Sequence, residues 1–168
     1  MESQMIKKIA RSIIASLSEQ EVERLLLPLL KKTEFAKKTY AVGGYVRDQY
    51  LGGEAKDLDI VVEMDGGAKK LTHYLKDLFS DKISTPRQLG AGYPIWQITF
   101  KENILYEGEE YKTQGAIIEF ADTMKEDFPD DTTRQRQTGY GTLEEDIERR
   151  DFTVNMLLKD LTTGEIKD

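Results

Sequence analysis

The sequence predicts a mixed α+β fold, a sheet flanked by helices and preceded by two N-terminal helices. Three observations carry that expectation. Apolar residues recur at three- and four-residue spacing over residues 5–30 and again after Gly67. Short β-branched or aromatic runs, among them Thr39–Val42, Ile95–Phe100 and Ala116–Ala121, are set off by glycines or polar turns. The two kinds of segment interleave with no internal repeat and no Gly-, Ser- or Pro-rich linker that would split the chain.

In order, Ile6, Ile9, Ala10, Ile13 and Leu17 fit one face of a first helix. Ser18-Glu19-Gln20-Glu21 has the form of a capping box and opens a second, carrying Val22, Leu25, Leu26, Leu29 and Leu30. Pro28 within that pattern is expected to kink or divide it. Both helices read as packing elements. The stretch from Tyr40 to Glu63 follows as strand, glycine turn, short helix, glycine turn and strand. Asp65-Gly66-Gly67 then leads into a helix with Leu71, Tyr74, Leu75, Leu78 and Phe79 on one side. A short strand is expected at Lys82–Thr85, a glycine loop at Gln88–Gly92, and a strand over Ile95–Phe100 with Trp96, Ile98 and Phe100 on one face. Glu107–Glu110 reads as a turn and Ala116–Ala121 as a strand on which Glu119 shares a face with Ile117 and Ala121. Asp122–Tyr140 lacks periodicity and reads as a loop. An amphipathic helix around Arg149–Leu157 and a small hairpin at Thr162-Thr163-Gly164 complete the chain.

Composition excludes several kinds of chemistry. With 168 residues the chain forms one domain, or one with a small appendage, burying roughly 70% of its unfolded surface. No apolar run approaches the ~20 residues that span a bilayer, and the opening residues lack a signal peptide's apolar core, so a cytoplasmic protein is expected. No cysteine is present, which removes disulfides, thiolate zinc sites and cysteine nucleophiles. The one histidine, His73, falls in a helical pattern beside lysines and reads as a surface residue. The net charge of −7 argues against a general nucleic-acid coat, but it is uneven. The first sixty residues carry ten Lys/Arg against nine Asp/Glu, and the rest 14 against 22. A polyanion would therefore have to meet a local basic face.

The stretch Tyr40–Glu63 concentrates the chemistry. Gly43-Gly44 ends a strand and lets backbone amides come close to an anion, with free N–H groups of the following helix behind them. Arg47, in the first turn of that helix, offers a planar fork to a phosphate. Asp57 and Asp59 lie two apart on the next strand, so their carboxylates point to one side. Carboxylates that close repel unless a cation sits between them, and oxygen-only donors suit Mg²⁺ carried on substrate phosphates. Taken alone, each half of this pattern is no more than a βαβ turn or a solvated Asp-x-Asp. Glu119, an acid mid-strand among apolar residues, is either an edge residue or a ligand to something charged.

The residues Gly43-Gly44-Tyr45-Val46-Arg47-Asp48, Leu51-Gly52 and Asp57-Leu58-Asp59, together with Arg149-Arg150-Asp151-Phe152-Thr153-Val154-Asn155, carry a family resemblance. The sequence resembles the catalytic head domain of the class II tRNA nucleotidyltransferases (CCA-adding enzymes) and bacterial poly(A) polymerases, from about Tyr40 to Asp160. The resemblance implies a polymerase-β-like nucleotidyltransferase sheet. It implies that Asp57 and Asp59 bind the catalytic Mg²⁺, that Gly43, Gly44 and Arg47 hold the triphosphate, and that Arg150, Asp151 and Asn155 contact the nucleotide's sugar or phosphate. Glu119 falls where the family carries a further acid. One departure stands nearby: Met124 and Lys125 precede Glu126 where the family has an arginine before its glutamate.

The expected organisation is N-terminal helices over residues 1–38 packed on a head domain of residues 39–168, without the family's helical neck, body and tail. The expected function is metal-dependent transfer of NMP from an NTP (ATP, CTP or both) to the 3′ end of tRNA or another RNA, releasing pyrophosphate. Either the chain is a fragment or it is a stand-alone minimal nucleotidyltransferase, with a separate chain as one candidate source of the missing domains' functions. Two alternatives remain open from the residues: the same core modifying a protein or small molecule, and a non-catalytic nucleotide-binding module.

Overall fold

The computed structural model describes residues 2–43, 46, 48, 58–90, 94–127, 137–149 and 157–167. Helix α1 (Glu2–Leu30) leads into β1 (Thr39–Gly43) and β2 (Asp59–Val62). Then come α2 (Gly67–Phe79), a 3₁₀ turn (Ser80–Lys82), β3 (Arg87–Leu89), β4 (Ile95–Thr99), β5 (Ile104–Tyr106), β6 (Glu109–Tyr111) and β7 (Ile117–Asp122). The chain finishes with β8 (Met124–Asp127), β9 (Gln137–Tyr140), α3 (Leu143–Arg149), β10 (Leu157–Asp160) and β11 (Ile166–Lys167). Among the described residues seven strands form the main sheet in the order β11-β10-β1-β2-β7-β4-β3, in which β2 and β7 run parallel and every other neighbouring pair antiparallel.

Strand alternation divides this sheet into two faces with different work. Ala41, Ile60 and Phe120 are ladder partners on one face and are fully buried. They join Val22, Leu25, Leu26, Leu29 and Leu30 of α1 and Ala68, Leu71 and Leu75 of α2 in the main core. The opposite face has only a small apolar cluster, Tyr40, Val42, Val61 and Leu158 against Leu143 of α3. The rest of that face is where the acids stand.

The α+β architecture is as the sequence predicts, but several elements differ. The two expected N-terminal helices are one continuous helix. Ser18 sits inside it, 3% exposed, because glutamates and glutamine following a serine continue a helix as readily as they begin one. Pro28 lies in the last turn of that helix and does not divide it, and the helix ends two residues later at Leu30. Only the second half of α1 packs as expected: Met5, Ile6, Ile9 and Leu17 are more than half exposed. The strand expected at Lys82–Thr85 reduces to a single bridge between Ile83 and Phe100, and the edge strand forms instead over Arg87–Leu89, overlapping the start of the expected loop. Both ends of the expected Asp122–Tyr140 loop pair as strands, β8 with β9, since ladder partners 10 to 16 residues away leave no local periodic signal. Leu157, expected on a helix, opens β10. Glu107 and Gly108, with φ of 48° and 80°, form the two-residue turn of the β5–β6 hairpin.

Asp122 ties the sheet to α2. Its Oδ2 accepts from Gly66 N and its Oδ1 from Ala68 N, both at 2.8 Å, while Gly66 has no side chain to cap the helix. Burial pushes the Asp122 carboxyl above its ordinary value, against the pull of these two N–H donors. Asp122→Ala is expected to lower stability by about 1–2 kcal/mol, the usual loss for a helix N-terminal acceptor, read as a drop in thermal midpoint. An unchanged midpoint would remove Asp122 from that role.

Candidate active site

The described strands that flank the two informative motifs converge through β1. Because β1 is antiparallel to both β2 and β10, its C-terminal end lies beside the N-terminal ends of those strands. Gly43 pairs with Leu157, and Val42 pairs with both Asp59 and Leu158. The glycine turn, the start of the acidic strand and the strand that follows the Arg149–Asn155 motif in sequence thus meet at one end of the sheet. Gly43 has φ of 82° with nothing within 4 Å of an added Cβ, so glycine is needed there for backbone conformation and not for space.

On the far side of β2, parallel pairing sets Asp59 directly opposite Glu119. Neighbouring strands lie ~4.8 Å apart and partnered residues share a face, so the two carboxylates stand side by side. Asp59 is exposed and Glu119 half-buried. Glu119 also faces Gln97 of β4, whose Nε2 donates to Glu119 Oε1 at 3.4 Å. Both acids line a cavity of about 340 Å³, with Leu58, Gly115, Ala116 and Ile117 from the strand ends and Glu19 from α1. Two carboxylates facing an open cavity are a donor set that fits a hard divalent cation.

Of the sequence-predicted residues, the structure brings together Gly43, Asp59 and Glu119 at this end of the sheet. Gly44, Arg47, Asp57, Arg150, Asp151 and Asn155 lie outside the described residues. Sequence reasoning missed Gln97 and Glu19. The signal for Gln97 was present, since it is the polar residue that breaks the apolar run Ile95–Phe100 on the face opposite Trp96 and Ile98. His73 is exposed, with Nδ1 2.7 Å from Lys69 O and its ring edge-on to Trp96, and stands on α2 as a surface residue.

Helix α3, which leads into the second motif, is held by one buried and one half-buried carboxylate acceptor. Asp146, 1% exposed, accepts from Met124 N at 3.1 Å, and Glu63 accepts from Leu143 N. These contacts join α3 to the start of β8 and to the end of β2, the strand that carries Asp59. A larger cavity of about 680 Å³ lies between α1 and residues 103–114, lined by Ser18, Glu21, Arg24 and Lys112. Its charges are already matched, Glu21 with Arg24 and with the N–H of Lys112, so it has less to offer an ionic ligand than the smaller cavity. Among the described residues no helix is long and apolar enough to cross a membrane.

Comparison with known proteins points the same way. The Poly A polymerase head domain family matches residues 39–168. A nucleotidyltransferase of Purpureocillium lilacinum is 29% identical over 95% of this chain and 28% of its own length. A CCA-adding enzyme of Lactobacillus johnsonii is 32% identical over 84% of this chain and 30% of its own. The solved structure of a CCA-adding enzyme in an apo form superposes with a TM-score of 0.63 at 25% identity, covering 88% of this chain and 30% of that one. The chain spans between 23% and 32% of the length of the first four curated relatives.

Proposed function

Since the chain belongs to the Poly A polymerase head domain family, we propose that it transfers a nucleoside monophosphate from an NTP to the 3′-hydroxyl of tRNA or another RNA. The observation that carries this reading is the register pairing of Asp59 with Glu119 at the sheet end where β1 and β10 meet. Residues 39–168 act as the head, with 1–38 packed against it through the second half of α1.

In the proposed reaction the acceptor's 3′-oxygen forms a bond to the α-phosphorus, the bond from that phosphorus to the bridging oxygen breaks, and pyrophosphate leaves. The hydroxyl proton passes to solvent. Asp57, Asp59 and Glu119 would hold Mg²⁺, which when bound neutralises phosphate charge and lowers the pKa of the attacking hydroxyl. Gln97 holds Glu119 in place from the neighbouring strand. The turn at Gly43-Gly44 and Arg47 grip the triphosphate, and Arg150, Asp151 and Asn155 meet sugar and phosphate. Such chemistry rests on positioning and charge and needs neither histidine nor cysteine.

Labelled NTP with and without total tRNA tests the reading. Incorporation that depends on RNA is the expected result. Incorporation into protein or a small molecule would move the activity to another acceptor, and NTP binding without turnover would make the chain a nucleotide-binding module.

A further inference from the structure

The ladder that pairs Asp59 with Glu119 continues across the sheet. Glu119 pairs with Gln97, and Gln97 pairs with Arg87 on the edge strand β3. Partnered residues share a face, so four neighbouring strands present, in one row, two carboxylates, an amide and a guanidinium. Arg87 is exposed, and Gln97 is half-buried between it and the acids. The row is polar on a face whose apolar cluster lies on the other side of Asp59, at Val42 and Leu158.

We propose that this row is a binding track for the end of the RNA acceptor, in which Arg87 holds a backbone phosphate while the terminal 3′-hydroxyl reaches the acids. This rests on the reading of the chain as an RNA-directed nucleotidyltransferase. The polarity of the row supports it. Phosphate is repelled by the pair Asp59 and Glu119 and attracted to a guanidinium, so a terminal nucleotide lies with its phosphate toward β3. Arg87 is rooted two strands from Glu119, ~10 Å by strand spacing, a gap that a bent arginine side chain shortens to the span of one nucleotide. The guanidinium offers a planar fork suited to two phosphate oxygens. Gln97, between them, has an amide that reaches both the acid and a ribose hydroxyl. With an overall charge of −7, a polyanion has to be met by cations local to the surface it contacts, and Arg87 supplies one on this face.

The test uses the full chain and a tRNA labelled at its 5′ end, its 3′-hydroxyl free, followed by fluorescence anisotropy without NTP. Arg87→Gln is expected to weaken binding about three- to tenfold and to flatten the plot of log affinity against log salt by about one unit, the signature of one lost phosphate contact. Arg87→Lys recovers part of the loss and Arg87→Glu deepens it. Affinity for ATP, measured separately by calorimetry, stays unchanged. Weakened ATP binding with RNA binding intact overturns the proposal, since Arg87 would then grip the triphosphate. No change in either makes Arg87 a solvated surface cation, and no RNA binding by the wild type also overturns it. RNA-dependent incorporation by the wild type judges the nucleotidyl transfer on its own. An active enzyme whose Arg87→Gln variant binds RNA normally therefore refutes the track alone.

Discussion

Asp59→Ala abolishes NMP transfer while leaving the fold intact: this is the expected result for the proposed metal site, and the same holds for Asp57→Ala. Asp59 is exposed at the head of β2, so removing its carboxylate opens no cavity. It also relieves repulsion with Glu119 across the parallel ladder. What is lost is the anion that would hold a cation against the phosphates, and electrostatic stabilisation of that kind is usually the largest single contribution to the rate. A fall of ~10²–10³-fold or more is expected, by analogy with removal of one preorganised electrostatic group. Glu119→Gln lowers the rate less, because it keeps the side chain's shape and an oxygen beside Gln97. The measurement is single-turnover incorporation of labelled NTP, paired with a thermal melt. Near-wild-type turnover by Asp59→Ala would sink the assignment of the acids.

The second large effect is on stability. Glu23 of α1 and Lys159 of β10 form an ion pair with side chains 4% and 14% exposed. Lys159 is the ladder partner of Ala41, on the face that packs against α1. Lys159→Met would remove the ion-pair partner of the Glu23 carboxylate in the interior, and breaking a buried pair from one side costs about 3–5 kcal/mol. A small domain has only ~5–15 kcal/mol in total, so a large fraction of its stability is at stake. The double variant Glu23→Gln/Lys159→Met removes both charges and is expected to regain much of the loss. Urea unfolding of the two variants separates the outcomes. Equal stability of the single variant and wild type would show that water or another group takes over Lys159's role.

This pair also bears on the proposed site. β10 follows the Arg149–Asn155 motif in sequence and lies beside Gly43, so a clamp between α1 and β10 helps to hold β10 in register with β1. Residues before Thr39, outside the family match, thus support the geometry of residues within it.

Local chemistry was legible in the sequence where one short segment carries all of it. The amphipathic pattern of α2, the strand of Ile95–Thr99 and the placement of Glu119 among apolar residues follow from periods of 3.6 and 2 that need no partner to be read, and the hairpin at Thr162–Gly164 from its turn residues. Even there, Tyr74 and Leu78 of α2 are exposed, since a helical stripe has a rim as well as a centre. What only the tertiary structure decided is pairing. A sequence states that Asp59 and Glu119 are both acids on strands, but sixty residues separate them, and parallel register between β2 and β7 is what sets them side by side. The edge strand of Arg87 had no pattern of its own, because three residues are too few for alternation to show and its pairing with β4 defines it. The continuity of α1 was likewise settled from outside. Ser18 and Glu23 are held against the body of the protein, and packing overrides a local capping signal worth ~1 kcal/mol. Backbone pattern is a local property, whereas register and helix continuity are fixed by contacts between residues far apart in the chain.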